Sequence, residues 1–138
     1  IEAVQKQNNA GKKNADTAQQ QIGLGKESAE AVLKQAFENE QSDIQVEGEG
    51  TVWKTLPDDN KDTRHQRFIL KLSSGQTLLV AHNIDLADKI KSLKKGDKVA
   101  FYGEYEWSEQ GGVIHWTHHD PAGRHEDGWL KHGGQIYQ

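Results

Sequence analysis

The sequence contains no cysteine and no methionine, and it has only 2 prolines in 138 residues. Without cysteine the chain forms no disulfide and has no thiolate, so His, Asp or Glu would have to hold any metal ion. Only 33% of the residues are hydrophobic, a low fraction for a chain that is packed throughout. We therefore expect part of the chain to lack a core of its own.

An excess of positive charge and a long apolar run are also missing. The formal net charge is -4, which gives no overall basic field and argues against nucleic acid as a partner. No run approaches the roughly 18 apolar residues of a membrane span, so we expect no membrane-spanning segment. The first residue, Ile1, fits a chain whose export signal has been removed, or a shortened chain. We expect an exported protein, periplasmic or secreted.

Composition and patterning divide the chain into four parts. Residues 1–25 are rich in Gln, Asn, Ala and Lys and are expected to form a flexible arm. Residues 26–43 should hold an amphipathic helix, because apolar side chains recur there at helical spacing, at Ala29, Val32, Leu33, Ala36 and Phe37. Residues 44–119 have the pattern of a β domain, and residues 120–138 are a His- and Trp-rich tail that we expect to be irregular and packed on that domain.

Alternating side chains predict five strands in the β domain. In the first strand Val46, Gly48, Gly50 and Val52 face one side, and its glycines allow the bend that a small closed barrel needs. The next four strands form two hairpins. The predicted strands are residues 44–56, 67–72, 77–81, 98–107 and 112–117.

A short helix is predicted between the third and fourth strands. Asn83 or Asp85 can cap its start, it ends near Lys94, and its apolar positions are Leu86, Ile90 and Leu93. A split ferredoxin-like fold needs a second long helix, and an immunoglobulin-like sandwich needs about seven strands. The order of strand, hairpin, helix and hairpin instead predicts a mainly β, five-stranded OB-fold barrel.

Barrels of this type bind ligands across strands 2 and 3 and the neighbouring loops, here residues 57–65 and 108–111. Trp53 and Trp107 lie near the ends of predicted strands. Each is either buried at the end of the core or exposed as a platform for a sugar ring. An acidic, aromatic-bearing exported barrel suits a glycan or protein ligand. The candidate ligand-binding residues are Trp53, Arg64, Arg67, Tyr105 and Trp107.

The last quarter of the chain holds most of the histidines, namely His115, His118, His119, His125 and His132. A subset of them can form a site for zinc or another transition metal, with Asp120 or Glu126 as an oxygen ligand. Adjacent residues of a strand face opposite ways, so not all five can converge. Alternatively the histidines fasten the tail to the barrel through ring packing and hydrogen bonds, or one of them contacts a ligand or acts in catalysis.

Several runs resemble a family of small exported bacterial proteins that share a domain of unknown function. The most specific runs are His115-Trp-Thr-His-His-Asp-Pro121, Gly123-Arg-His125 and Gly128-Trp-Leu-Lys-His132, together with residues 78–87, 96–97, 103–107 and 137–138. The resemblance covers about residues 44–138 and leaves the arm and the first helix outside. It implies export and a compact barrel. It implies no activity, so no catalytic role is carried onto these residues.

Our leading hypothesis is a non-enzymatic, exported OB-fold module that binds an extracytoplasmic glycan or protein and requires no cofactor. A second hypothesis is a His-rich transition-metal-binding protein, extending to a metal-dependent hydrolase. The OB-fold also leaves an oligonucleotide ligand open, and the apolar stripe of the first helix leaves open an oligomer formed through it. No catalytic residue is assigned, because the sequence has no nucleophile elbow, phosphate-cradling loop or dinucleotide fingerprint.

Overall fold

The computed structural model describes residues 26–138, so the arm predicted for residues 1–25 lies outside the described part of the chain. This part has one helix followed by seven strands and is mainly β. No helix in it is long and apolar enough to cross a membrane. The elements are α1 (Lys26–Glu38), β1 (Ile44–Asp59), β2 (His65–Lys71), β3 (Thr77–Asn83), β4 (Lys98–Glu106), β5 (Val113–His115), β6 (Trp129–His132) and β7 (Gln135–Tyr137).

Five of the strands pair in a ring. β1 pairs antiparallel with β2 and β4, β2 with β3, and β4 with β5, while β3 and β5 pair in parallel. β1 is long enough to serve two neighbours, because residues 44–51 pair with β4 and residues 51–59 pair with β2. Each of these five strands therefore has two neighbours within the ring.

The hydrophobic core is formed by the apolar side chains that alternate along these strands and point to the same side of the sheet. Val46, Gly50 and Val52 are buried along β1 as the alternation predicts, although Gly48 is only half-buried. A Cβ on Gly48 would lie 2.7 Å from Cζ of Phe101, so glycine allows the Phe101 ring to pack against β1. Further buried core residues from the other strands are Phe68, Leu70, Leu78, Val80, Val99, Tyr105 and Ile114.

The helix α1 packs on this domain through a narrower stripe than the sequence predicts. Leu33 and Ala36 are buried, whereas Val32 is 41% exposed. At 3.6 residues per turn Val32 lies about 100° around the helix from Leu33, at the edge of the apolar arc. Next to the stripe, Phe37 stacks on Trp107 with ring centroids 6.4 Å apart. The buried side of the helix is thus occupied within the chain itself.

The helix predicted between Asn83 and Lys94 is absent, and the segment is a series of turns. Asn83 does cap the first turn, since its Oδ1 accepts hydrogen bonds from the amides two and three residues later. Farther on, the buried Gln66 side chain exchanges two hydrogen bonds of 2.9 Å with the backbone N–H and C=O of Ile90. These bonds take the backbone groups of Ile90 that a helix would pair internally.

The C-terminal tail was expected to be irregular, but part of it forms two strands. β6 pairs with residues 100–102 of β4, and β7 pairs with β6. Leu130 of β6 is fully buried in the core. The hairpin forms because this part of β4 has an edge available for pairing, and burial of Leu130 stabilises the added strand.

Candidate functional site

The site arises from the way in which β4 shares one of its edges. Residues 100–102 of that edge pair with β6, and residues 104–106 pair with β5. The chain that leaves β5 therefore returns to the same strand, and the connecting residues 116–128 lie beside β4. Close approach is needed there, because a Cβ on Gly128 would lie 2.0 Å from the carbonyl oxygen of Trp116.

Glu104 and Glu106 project from β4 on the side opposite the core, because they alternate with the buried Gly103 and Tyr105. His115 of β5 is the direct pairing partner of Glu104. One ligand atom from each of Glu104, Glu106 and His115 lies within 4.8 Å of the others. The Nε2 atom of His115 is 3.2 Å from Oε2 of Glu106.

Two further side chains complete what we call the acid–histidine cluster, which comprises Asp43, Glu104, Glu106, His115 and His125. The carboxyl group of Asp43 lies close enough to those of Glu104 and Glu106 to influence the pKa values of both. Nε2 of His125 contacts Oε1 of Glu104. Nδ1 of His125 donates to the carbonyl oxygen of Glu126 at 2.8 Å. Three carboxyl groups and two imidazoles therefore meet on the outer side of β4.

The environment separates the pKa values of the two glutamates. Burial raises the pKa of Glu106, and the hydrogen bond to Glu104 raises it further. Burial also acts to raise the pKa of Glu104, but hydrogen bonds from His125 and from the other carboxyl groups outweigh it and lower the pKa. Burial disfavours a charged His125, yet the Glu104 carboxylate gives a net rise in its pKa. The pKa of Glu104 therefore lies below its usual value and that of the neighbouring Glu106 lies above it.

The loop after β5 orients His125. Asp120 accepts hydrogen bonds from the amides of Ala122, Arg124 and His125 at 2.7–2.9 Å, so its carboxylate caps this turn. The His125 ring stacks on Trp116 with centroids 3.9 Å apart and an interplanar angle of 7°. Trp116 has a φ of 57°, a strained value for a bulky side chain. Together the turn and the stacking direct His125 towards Glu104.

The structure brings together two of the five predicted metal-binding histidines, His115 and His125. The buried His118 bonds through Nδ1 to the carbonyl of His119 at 2.7 Å, and exposed His119 pairs with Asp127 at 2.8 Å. His132 Nε2 lies 2.8 Å from Oδ2 of Asp97 and fastens β6 to the turn before β4. These three histidines lie outside the cluster.

Neither predicted oxygen ligand of the tail joins the cluster. The Asp120 carboxylate is engaged by the backbone amides of its own turn, and Glu126 accepts a hydrogen bond from the Tyr102 hydroxyl. Asp43, Glu104 and Glu106 are not among the site residues predicted from the sequence. Acidic residues alternating on the exposed face of a strand look like an ordinary solvated surface, and only the pairing of β4 with β5 brings them to His115.

The five predicted ligand-binding residues do not share one surface. Tyr105 is fully buried, and its hydroxyl donates to the Gly111 carbonyl at 2.8 Å. Trp107 lies against α1, where Nε1 donates to the Phe37 carbonyl at 3.1 Å. Both residues therefore serve the packing of the domain.

The remaining three predicted residues differ in their surroundings. Arg64 bonds to the carboxylate of Asp85 through Nε, at 2.7 Å, and through its backbone amide. Arg67 donates from Nε to the Pro57 carbonyl at 3.1 Å. Trp53 is 48% exposed and borders a groove of about 360 Å³. Of the predicted set, Trp53 alone lines this groove.

The chain matches the family model described as protein of unknown function (DUF3465) over residues 20–138. It therefore belongs to that family. The match begins well before β1, so α1 is part of the family domain, whereas the resemblance noted from the motifs began near residue 44. A comparison with curated proteins gives no match.

Proposed function

We propose that the β domain is an OB-fold and that this protein binds a divalent transition-metal ion at the acid–histidine cluster. An OB-fold is a five-stranded Greek-key barrel. The ring of pairings β1–β2–β3–β5–β4–β1, with the parallel β3–β5 pair, supports this assignment. Because the chain resembles exported proteins, we also propose that it is located outside the cytoplasm. Fractionation of the native cells, with an antibody to this chain, tests the location.

The distance between ligand atoms carries the metal-binding proposal. Zinc ligands lie about 2.0–2.2 Å from the ion, so atoms in one coordination shell are roughly 3 to 4 Å apart. His115 Nε2 and Glu106 Oε2 are 3.2 Å apart, and the set that includes Glu104 spans at most 4.8 Å. A small rotation of one carboxylate therefore suffices to place all three around a single ion.

The charges of the cluster also favour a cation. Asp43, Glu104 and Glu106 repel one another when all three are ionised, and a divalent ion offsets this repulsion. A donor set of imidazole nitrogen and carboxylate oxygen suits Zn²⁺, with Mn²⁺ and Fe²⁺ as competitors. The side chains of His115 and Glu106 are 33% and 35% exposed. An ion held there would keep a position for water, which supports extending the proposal to a metal-dependent hydrolase.

Titration of the untagged chain with Zn²⁺ and with Mn²⁺, followed by elemental analysis after dialysis, tests the proposal. We expect about one ion per chain. Glu106→Gln and His115→Gln should each weaken zinc binding by about tenfold or more. Glu109→Gln and His119→Gln make the same chemical changes outside the cluster and should retain affinity. A folded wild-type chain that binds no metal, or binding that survives both cluster variants, would refute the proposal.

A second candidate function is an OB-fold module that binds a glycan. The observation in its favour is the half-exposed indole of Trp53 beside the 360 Å³ groove, since aromatic faces offer an apolar platform with little conformational freedom to lose. We expect the wild-type chain to bind an oligosaccharide. Trp53→Ala should lose this binding while its melting temperature stays unchanged. Equal loss of binding and stability would instead make Trp53 a structural residue.

A further inference from the structure

The groove beside Trp53 lies apart from the acid–histidine cluster. One wall is residues 49–53 of β1, a second is residues 71–73 at the start of the β2–β3 turn, and a third is formed by residues 95, 96 and 98 before and at the start of β4. Its volume of about 360 Å³ falls within the usual range for small-ligand pockets. It therefore has room for a ligand of one or two sugar rings.

A β-bulge presents the Trp53 side chain to this groove. In the pairing of β1 with β2, Val52 lies opposite Leu70 and Lys54 lies opposite Ile69, so Trp53 is an extra residue without a partner on β2. Val52 is buried and exchanges hydrogen bonds of 2.8 Å with the backbone of Gly96 and Asp97 on its other side. Bulges redirect side chains in this way, and here the bulge leaves the indole 48% exposed.

The groove carries a local positive charge on a chain that is acidic overall. Lys71, Lys95 and Lys98 line it and are exposed, against a single lining carboxylate, Glu49. The net charge of the whole chain is -4, so this concentration of lysines is opposite in sign to the molecule. Such a patch attracts an anionic ligand, and it does so most strongly at low salt.

We propose that this groove binds an acidic sugar residue, with the pyranose ring stacked on Trp53 and its carboxylate or sulfate paired with the lysines. The inference rests on the second proposed function, glycan binding, and names the class of glycan. Single-stranded nucleic acid needs successive aromatic side chains along a charged track, whereas the residues lining this groove include one aromatic ring. The observations therefore favour a sugar over a base.

Calorimetric titration of the whole chain with an acidic oligosaccharide, tetragalacturonate, tests the inference against two other probes. These are a neutral galactose tetrasaccharide and a ten-nucleotide thymidine oligomer. We expect tetragalacturonate to bind at least about tenfold more tightly than either, a difference of about 1.4 kcal/mol. Its affinity should fall with increasing salt, because the contacts to lysine are exposed.

Variants locate the binding. Trp53→Ala and the combined change of Lys71, Lys95 and Lys98 to Gln should each weaken tetragalacturonate binding by about tenfold. Lys34→Gln, on an exposed position of α1, is the matched control and should bind as the wild type does. Thermal melting of each variant separates loss of binding from loss of folding.

The outcomes distinguish the two levels of the proposal. Equal affinity for the neutral and the acidic tetrasaccharide, lost in Trp53→Ala, would overturn the acidic preference and leave glycan binding standing. Binding of neither sugar would overturn both. Tighter binding of the thymidine oligomer than of either sugar would identify the groove as a nucleic-acid site and reject the sugar.

Discussion

The imidazole of His125 lies nearly parallel to the indole of Trp116, with ring centroids 3.9 Å apart. Through this contact Trp116 holds the His125 ring that faces Glu104. Trp116 adopts a backbone conformation with positive φ to do so, at a cost of about 1–3 kcal/mol. A costly conformation beside a group of titratable side chains is typical of functional sites.

Replacing Trp116 by Leu should weaken zinc binding by about tenfold, because Trp116 positions His125, which contacts the proposed ligand Glu104, and residues that orient metal ligands commonly contribute this much. The matched control is Trp129→Leu, which removes an indole that stacks on Tyr102 instead. The zinc affinity of both variants is measured by competition with a chromophoric chelator. If Trp116→Leu binds zinc as tightly as Trp129→Leu does, the stacking has no role in positioning His125.

The stability of the fold should depend on pH through His82. This side chain is fully buried, its Nε2 donates to the Asp88 carbonyl at 3.0 Å, and its Nδ1 accepts from the Thr117 hydroxyl at 2.8 Å. Burial lowers the pKa of His82 from 6.5 to about 4. The unfolded chain therefore takes up a proton below about pH 6.5, and the folded chain does so only near pH 4.

The His82 contribution to the free energy of unfolding is thus fully present above pH 6.5 and falls as the pH drops towards 4, by about 3 kcal/mol in total. Urea denaturation at several pH values measures it. His82→Gln cannot titrate, so the stability difference between wild type and variant should shrink across this window. A difference that stays constant from pH 7 to pH 4 would show that folding does not shift the pKa of His82.

Gly128 should tolerate no side chain. A Cβ there would lie 2.0 Å from the Trp116 carbonyl oxygen and 2.4 Å from that of Tyr102. We expect Gly128→Ala to destabilise the domain by about 3 kcal/mol through this clash. Gly123→Ala is the control, because Gly123 has no neighbour within 4 Å and only its φ of 68° opposes the change, at about 1–2 kcal/mol. Equal urea midpoints for the two variants would contradict the close approach.

The helix α1 should contribute to the stability of the domain through Leu33. Leu33→Ala is expected to lower the free energy of unfolding by about 3 kcal/mol, because the side chain is fully buried. Val32→Ala, at the exposed neighbouring position, should cost less than about 0.5 kcal/mol. Comparable losses at the two positions, together with a concentration-dependent melting temperature, would instead indicate that α1 packs against a second copy of the chain.

The sequence predicts the strands well because their side chains alternate between core and solvent. Val46, Gly50 and Val52 lie inside as the pattern requires, and the five predicted strands are all present with modest shifts at their ends. The segment after Asn83 is different, because its conformation depends on Gln66, a residue of another strand. A local pattern of apolar residues cannot reveal a competitor that is distant in sequence.

The candidate site is predicted only in part, for a related reason. His115 and His125 are conspicuous because they belong to a run rich in histidine and tryptophan. Their partners Glu104 and Glu106 are unremarkable in sequence, since polar residues on alternate positions of a strand usually face water. The pairing register between β4 and β5 is what joins the two groups, and it is a property of the assembled sheet.

The length of β1 has a consequence for the synthesis of the protein. Its second half can pair with β2 soon after both have left the ribosome, but residues 44–51 have no partner until β4 has been made. An unpaired strand edge is open to other nascent chains during that interval. Glu47 and Glu49 alternate with the inward positions of this half, and their like charges repel a second copy that approaches in the same register. We therefore expect these two glutamates to oppose aggregation of the growing chain before the domain can close.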